Sequence, residues 1–117
     1  MHKLVRKEQL SNKELQELLE ARENNEIEFT LIDVREPFEY EMQHIEKTDE
    51  LLPTSSFNNW VHNLLKRKDE NIILYCRSGN RSYQVQQILE QHGMKVGNLE
   101  LGILDYTGKT AQGKFNK

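Results

Sequence analysis

The chain has one cysteine, Cys76, among its 117 residues. It closes no internal disulfide, so a reducing compartment is the expectation, and with it a cytoplasmic setting. There is no second cysteine for a Cys-x-x-Cys pair. The four histidines (His2, His44, His62 and His92) are scattered without ligand spacing. Neither a metal nor a cofactor is therefore expected. No segment approaches the ~20 apolar residues of a membrane span. The opening "MHKLVRKEQLSNKEL" has no continuous apolar stretch of the kind a signal peptide carries. The net charge is only −3, and no basic stripe stands out. Nucleic acid and membrane surfaces are thus not expected partners.

What is present reads as alternating strands and helices. The length suits one domain, expected over 1–108, with a polar tail over 109–117 that frays. Val5 and its neighbours read as a short first strand. Ser11 and Glu14 make a capping box that opens a helix, with Leu10 and Leu15 at staple positions. Residues 29–34, "FTLIDV", are β-branched and aromatic, the composition of a strand. Pro37 suits the first turn of a small helix. "DELLP" reads as another short strand. Phe57, Trp60, Val61, Leu64 and Leu65 share one helical face. Trp60 belongs to that core stripe, and Lys66, Arg67 and Lys68 form a solvated helix end. "NIILY" is a continuous apolar run, as in a central strand covered on both faces. A helix then starts near Arg81, with Val85, Ile88, Leu89 and His92 inside and Gly93 at its C-terminus. "MKVGNLELG" adds a strand and "ILDY" a helical turn. This alternation predicts an α/β fold with a mostly parallel sheet of about five short strands, flanked by helices on both faces.

In such sheets ligands bind beyond the carboxyl ends of the strands, and Cys76 stands at such an end. The segment "YCRSGNRS" that follows is unusual for a strand terminus. Gly79 allows a turn without a Cβ clash. Successive N–H groups over residues 77–81, at the start of a helix, make an anion-binding nest. Arg77 and Arg81 add positive charge, and Ser78, Asn80 and Ser82 offer side-chain donors or favour turn and cap geometry. Ser82 reads as the cap. A cysteine at the mouth of such a nest is held as the nucleophilic thiolate. Two anion-loop chemistries compete. One is that of cysteine phosphatases, which carry Cys-x5-Arg, with a phosphatase or arsenate reductase on the same scaffold as the rival; the other is sulfur transfer through a cysteine persulfide. Here the sixth position after the cysteine is Ser82, and Arg81 comes one residue early. The shorter cradle fits a sulfur atom better than a tetrahedral phosphate.

Taken together, "LIDVREPFEYEMQHI", "IILYCRSGNRS" and the weaker "LELGILDY" resemble the signatures of single-domain rhodaneses, rhodanese-like sulfurtransferases, over Lys3 to Tyr106. The resemblance implies a rhodanese-like fold and a two-step cycle. Cys76 takes a sulfane sulfur from a small anionic donor such as thiosulfate, and passes it to cyanide, a thiol or a sulfur-carrier protein. The loop N–H groups of residues 77–81 then hold the outer sulfur. Arg81 is expected to supply electrostatics at the helix start, and Arg77 recognition at the rim. Asp33 and Arg35 match the family's Asp-x-Arg and read as a structural anchor. His44 reads as a satisfied structural histidine. Lys47 and Thr48 stand where the family usually has a glycine and a small residue. Leu101 replaces the first glycine of a Gly-Gly pair, and Tyr106 replaces a tryptophan. A persulfide-carrying or redox-sensing interaction module is the alternative to an enzyme.

Overall fold

A computed structural model describes residues 2–116. Five strands form a wholly parallel sheet, in the spatial order Gln9–Leu10, Gly97–Leu99, Ile72–Tyr75, Thr30–Asp33, Glu50–Leu51. These are β1 (Gln9–Leu10), β2 (Thr30–Asp33), β4 (Glu50–Leu51), β5 (Ile72–Tyr75) and β6 (Gly97–Leu99). β3 (His44–Ile45) and β7 (Thr110–Ala111) pair antiparallel beside it. The helices are α1 (His2–Val5), α2 (Asn12–Glu23), α3 (Pro37–Met42), α4 (Phe57–Leu65), α5 (Asn80–Gln91) and α6 (Gly102–Asp105).

The central strand is buried along its whole length, and its side chains alternate between two cores. Ile73 and Tyr75 join Leu15, Leu18 and Ala21 of α2, together with Val5 and Ile103. Ile72, Leu74 and Cys76 face the other way, onto Val61 and Leu64 of α4 and Val85 and Leu89 of α5. Helices thus cover both faces of a parallel sheet, as expected from the alternating pattern. Cys76 sits on the α4/α5 side.

Local signals explain most element boundaries. Ser11 caps α2: its hydroxyl accepts from the Glu14 N–H at 3.2 Å, and the Glu14 carboxylate accepts from the Ser11 N–H at 2.9 Å. α5 ends with the Gly93 N–H on the Glu90 carbonyl and the Met94 N–H on the Leu89 carbonyl, the paired bonds of a Schellman closure. Trp60 packs in the core and donates its indole N–H to the Pro53 carbonyl at 2.9 Å.

Four expectations are corrected. Val5 lies in the short α1, and the first strand is Gln9–Leu10. The polar tail does not fray from residue 109, because Thr110 and Ala111 pair with Ile45 and His44. His92 is exposed rather than inside α5, and its Nδ1 lies 2.9 Å from the Ile88 carbonyl, within its own helix. Arg67 is not merely solvated. It makes two bonds to the Glu50 carboxylate at 3.0 and 2.8 Å and further bonds to Glu70, tying the end of α4 to the edge strand.

Lys47, where the family resemblance leads one to expect glycine, has φ +75°. A left-handed conformation costs a residue with a Cβ about 1–2 kcal/mol. The exposed Lys47–Glu23 contact, at 3.7 Å, offsets little of this. Lys47→Gly is therefore expected to stabilise the fold by about 0.5–1 kcal/mol once the extra unfolded-state entropy of glycine is counted. Thermal melts check this, and a lower melting temperature refutes it.

Candidate active site

β5 carries the chain to the carboxyl end of the sheet, where Cys76 begins the loop into α5. The Cys76 side chain is buried, only 1 % exposed. The Gly79 N–H donates to its Sγ at 3.1 Å and the Ser82 hydroxyl lies 3.3 Å from the same atom. Burial pushes the thiol pKa up. The Ser82 hydroxyl and the backbone N–H groups of Ser82, Gly79 and Arg81 outweigh that, and the pKa is lowered from its ordinary value. Directed donors at a helix N-terminus thus shift the balance toward the thiolate.

Gly79 is the N-cap of α5 and has φ +100°. Ser82, which reads as the cap in the sequence, is not the cap; its hydroxyl sits against Sγ inside the loop. Its single proton is shared between Sγ and the Gly79 carbonyl at 3.2 Å. The Gly79 carbonyl also lies 3.5 Å from the amide nitrogen of buried Asn98.

The loop is clamped from outside by the segment after β6. The Ile103 N–H donates to the Cys76 carbonyl at 3.0 Å and the Leu104 N–H to the Arg77 carbonyl at 3.1 Å. Gly102 makes this approach possible. With φ +67°, a Cβ on it would lie 2.2 Å from the Arg77 carbonyl oxygen. Leu101, which replaces the first glycine of the family's pair, has φ −104° and needs no glycine. Tyr106 packs against the α2-side core.

The two arginines of the loop differ. Arg77 is exposed and, among the described residues, has no ion pair. Arg81 makes a bidentate pair with Glu39 of α3, at 2.7 and 2.9 Å. The Arg81 guanidinium and the Cys76 thiolate attract each other through charge, an effect on Arg81 that ranks after that of Glu39. The lowering of the Cys76 pKa comes chiefly from N–H and O–H donors. Ser78 and Asn80 are exposed on the loop.

Asp33 and Arg35 lie at the end of the neighbouring β2, both buried. The Arg35 side chain bonds both Asp33 carboxylate oxygens at 2.9–3.2 Å and donates to the Gln43 carbonyl at 2.7 Å. The Arg35 N–H also meets Asp33, at 2.9 Å. Burial pushes the Asp33 carboxyl upward, opposed by Arg35. The pair anchors the turn into α3, which carries Glu39. His44 stacks on Tyr40 with ring centroids 3.7 Å apart, and its Nδ1 lies 2.9 Å from the Tyr40 carbonyl. Buried Thr48 bonds the Tyr75 hydroxyl at 2.9 Å. No cluster of His, Cys, Asp and Glu with metal-binding geometry occurs among the described residues.

Sequence reasoning gave Glu39, Gln86 and Asn98 no role. Glu39 was signalled by its position three residues after Glu36, whose N–H it accepts at 3.0 Å. Gln86 bridges the Glu8 and Val96 carbonyls, both at 2.8 Å, and carries no local signal for that role.

A parallel α/β sheet with a donor-bonded cysteine sulfur at a strand end defines a class of thiol-loop proteins. Within that class, the family model for the Rhodanese-like domain matches residues 11–109, and the chain belongs to that family. A curated relative from Pectobacterium carotovorum, named tRNA uridine(34) hydroxylase, is 34% identical over 88 residues, covering 70% of this chain and 24% of the relative. The chain thus spans about a quarter of that relative's length. The crystal structure of a rhodanese-related protein from Thermoplasma volcanium superposes with a TM-score of 0.72 at 25% identity, covering 90% of this chain and 98% of that one. A rhodanese-like domain protein from Staphylococcus aureus gives 0.71 at 25% identity, covering 88% and 94%. No helix among the described residues is long and apolar enough to cross a membrane.

Proposed function

We propose that the protein is a sulfurtransferase in which Cys76 carries a sulfane sulfur as a persulfide. The observation that carries this reading is the pair of donors on Sγ, from Gly79 at 3.1 Å and Ser82 at 3.3 Å. They sit at the head of a helix, where negative charge is favoured. With thiosulfate as donor, the Cys76 thiolate attacks the outer sulfur. A bond forms between Sγ and that sulfur, and the bond to the sulfonate breaks. The electron pair leaves on sulfite, and Cys76 retains an anionic persulfide. An acceptor thiolate or cyanide then attacks the outer sulfur and releases the Cys76 thiolate, completing a ping-pong cycle. The acceptor class is a small thiol, cyanide or a sulfur-carrier protein.

Among the alternatives, a redox switch fits less well. Cys76 is the chain's only cysteine, so no resolving thiol lies within it. The phosphatase reading is disfavoured by Arg81, whose guanidinium is already engaged by a carboxylate. The relatives named tRNA uridine(34) hydroxylase share only this module's length with the chain, so their name alone does not carry an activity over.

Intact-mass measurement tests the reading. Protein treated with thiosulfate, an organic persulfide or polysulfide is expected to gain one sulfur atom, lost on reduction and absent in Cys76→Ala. No gain from any of the three donors overturns it.

A further inference from the structure

Beside the active loop runs a groove lined by Phe38, Glu39 and Met42 of α3, by Arg77 of the loop and by Leu104 of α6. Phe38, Met42 and Leu104 are all more than 60 % exposed. The groove that reaches the active loop at Arg77 is thus apolar at its edges. Among charged side chains, Glu39, Arg77 and Arg35 line it, Arg35 being paired with Asp33, and Arg81 reaches Glu39 from α5. Arg77 is free of ion pairs among the described residues. Arg81 and Glu39 cancel through two parallel bonds. The Arg81 guanidinium is close enough to Cys76 for the thiolate to raise its pKa, after the larger effect of Glu39. Glu39 is fixed from both sides, by Arg81 and by the Glu36 N–H. Its pKa falls to about 2, chiefly through Arg81, so it is ionised throughout the neutral range.

We propose that Glu39 determines which sulfur donors this site accepts, by cancelling the charge of Arg81 and turning the mouth against small dianions. The favoured class is an organic persulfide of low charge, with its carbon body against Phe38, Met42 and Leu104. This rests on the sulfurtransferase reading and narrows its donor. For such a donor the transfer balances simply. The Cys76 thiolate attacks the terminal sulfur of R–S–SH, the S–S bond to R–S breaks, R–S⁻ departs, and Cys76–S–SH remains. Thiosulfate, a dianion, meets the lone charge of Arg77 beside the Glu39 carboxylate.

The test compares Cys76 alkylation by anionic iodoacetate with alkylation by neutral iodoacetamide. The ratio of the two rates cancels changes in thiolate nucleophilicity and reports the local field. Glu39→Gln keeps an oxygen for the Glu36 N–H but removes the negative charge. It is expected to raise the iodoacetate-to-iodoacetamide ratio about fivefold at low salt, less as salt is added. Arg81→Gln breaks the same ion pair and leaves Glu39 uncompensated, so the ratio is expected to fall by about the same factor. Damage from a broken contact moves both variants the same way, and such a result overturns the proposal, as does an unchanged ratio in both. In parallel, kcat/KM for thiosulfate is expected to rise about fivefold in Glu39→Gln, while that for the persulfide of a neutral alkyl thiol changes less than about twofold. Equal changes for both donors overturn the specificity role. Opposed ratio shifts without sulfur gain from any donor leave the charge gate standing and overturn the sulfurtransferase reading.

Discussion

Replacing Gly79 with alanine is expected to dismantle the thiolate site and destabilise the fold by about 2–4 kcal/mol. Two effects combine. The φ of +100° is one that a residue with a Cβ resists. The added Cβ would also lie 1.9 Å from the Glu100 carbonyl oxygen. That oxygen is backbone, in the clamp segment, and cannot swing aside as a side chain does. The loop or the clamp must therefore move by an ångström or more. The Gly79 N–H that meets Sγ at 3.1 Å moves with it. Cys76 alkylation at neutral pH is expected to slow about tenfold, the equivalent of one pKa unit, and the melting temperature to fall by about 10 °C. Gly93→Ala is the matched control. Its φ is +82°, and nothing lies within 4 Å of its added Cβ. It carries the conformational penalty alone, about 1 kcal/mol, and leaves Cys76 reactivity unchanged. If the two alanine variants behave alike, the clamp of Glu100 on the loop is refuted.

Arg35→Met is expected to be the most destabilising single change, at about 3–5 kcal/mol. Asp33 is fully buried, and Arg35 supplies three of its hydrogen bonds from the side chain and one from the backbone. Methionine fills much of the space but leaves a carboxylate in the core without a counter-charge. A loss of about 10–20 °C in melting temperature follows. The sign of the pH dependence is fixed by the same reasoning. Without Arg35, burial alone raises the folded-state pKa of Asp33 above its unfolded value. The uncompensated charge then costs most above that raised pKa, and the deficit shrinks as pH falls and Asp33 takes up a proton. Asp33→Asn in the Arg35→Met background removes the charge and is expected to recover part of the loss. Urea unfolding of the three proteins at two pH values checks both statements. A deficit that grows on acidification, or a double variant no better than Arg35→Met, refutes them.

The contrast between what the sequence reveals and what it conceals follows the range of the interactions. Ser11 and Glu14 announce α2 because a capping box is complete within four positions. The apolar run of residues 72–75 announces a strand covered twice, because burial on both faces leaves no polar position. The loop after Cys76 is legible because its glycine and its spacing are local. Val5 misleads because a short apolar stretch fits a buried helix turn as well as a strand. Thr110 and Ala111 carry no pattern of their own, and only their distant partners His44 and Ile45 make them a strand. The Arg81–Glu39 pair joins α5 to α3 across the fold. Spacing alone therefore assigns Arg81 a free charge, and tertiary contact removes it.

The clamp on the active loop has a consequence for the order in which the site comes into being. Cys76, Gly79 and Ser82 are all synthesised before the residues that hold them. The Cys76 and Arg77 carbonyls wait for the N–H groups of Ile103 and Leu104, and β5 waits for β6 as its neighbour. A growing chain that ends short of Leu104 thus has its nucleophile but not its finished cradle. The donor-lined setting of Cys76 is thus completed late, and until then its thiol has only the ordinary reactivity of an exposed cysteine.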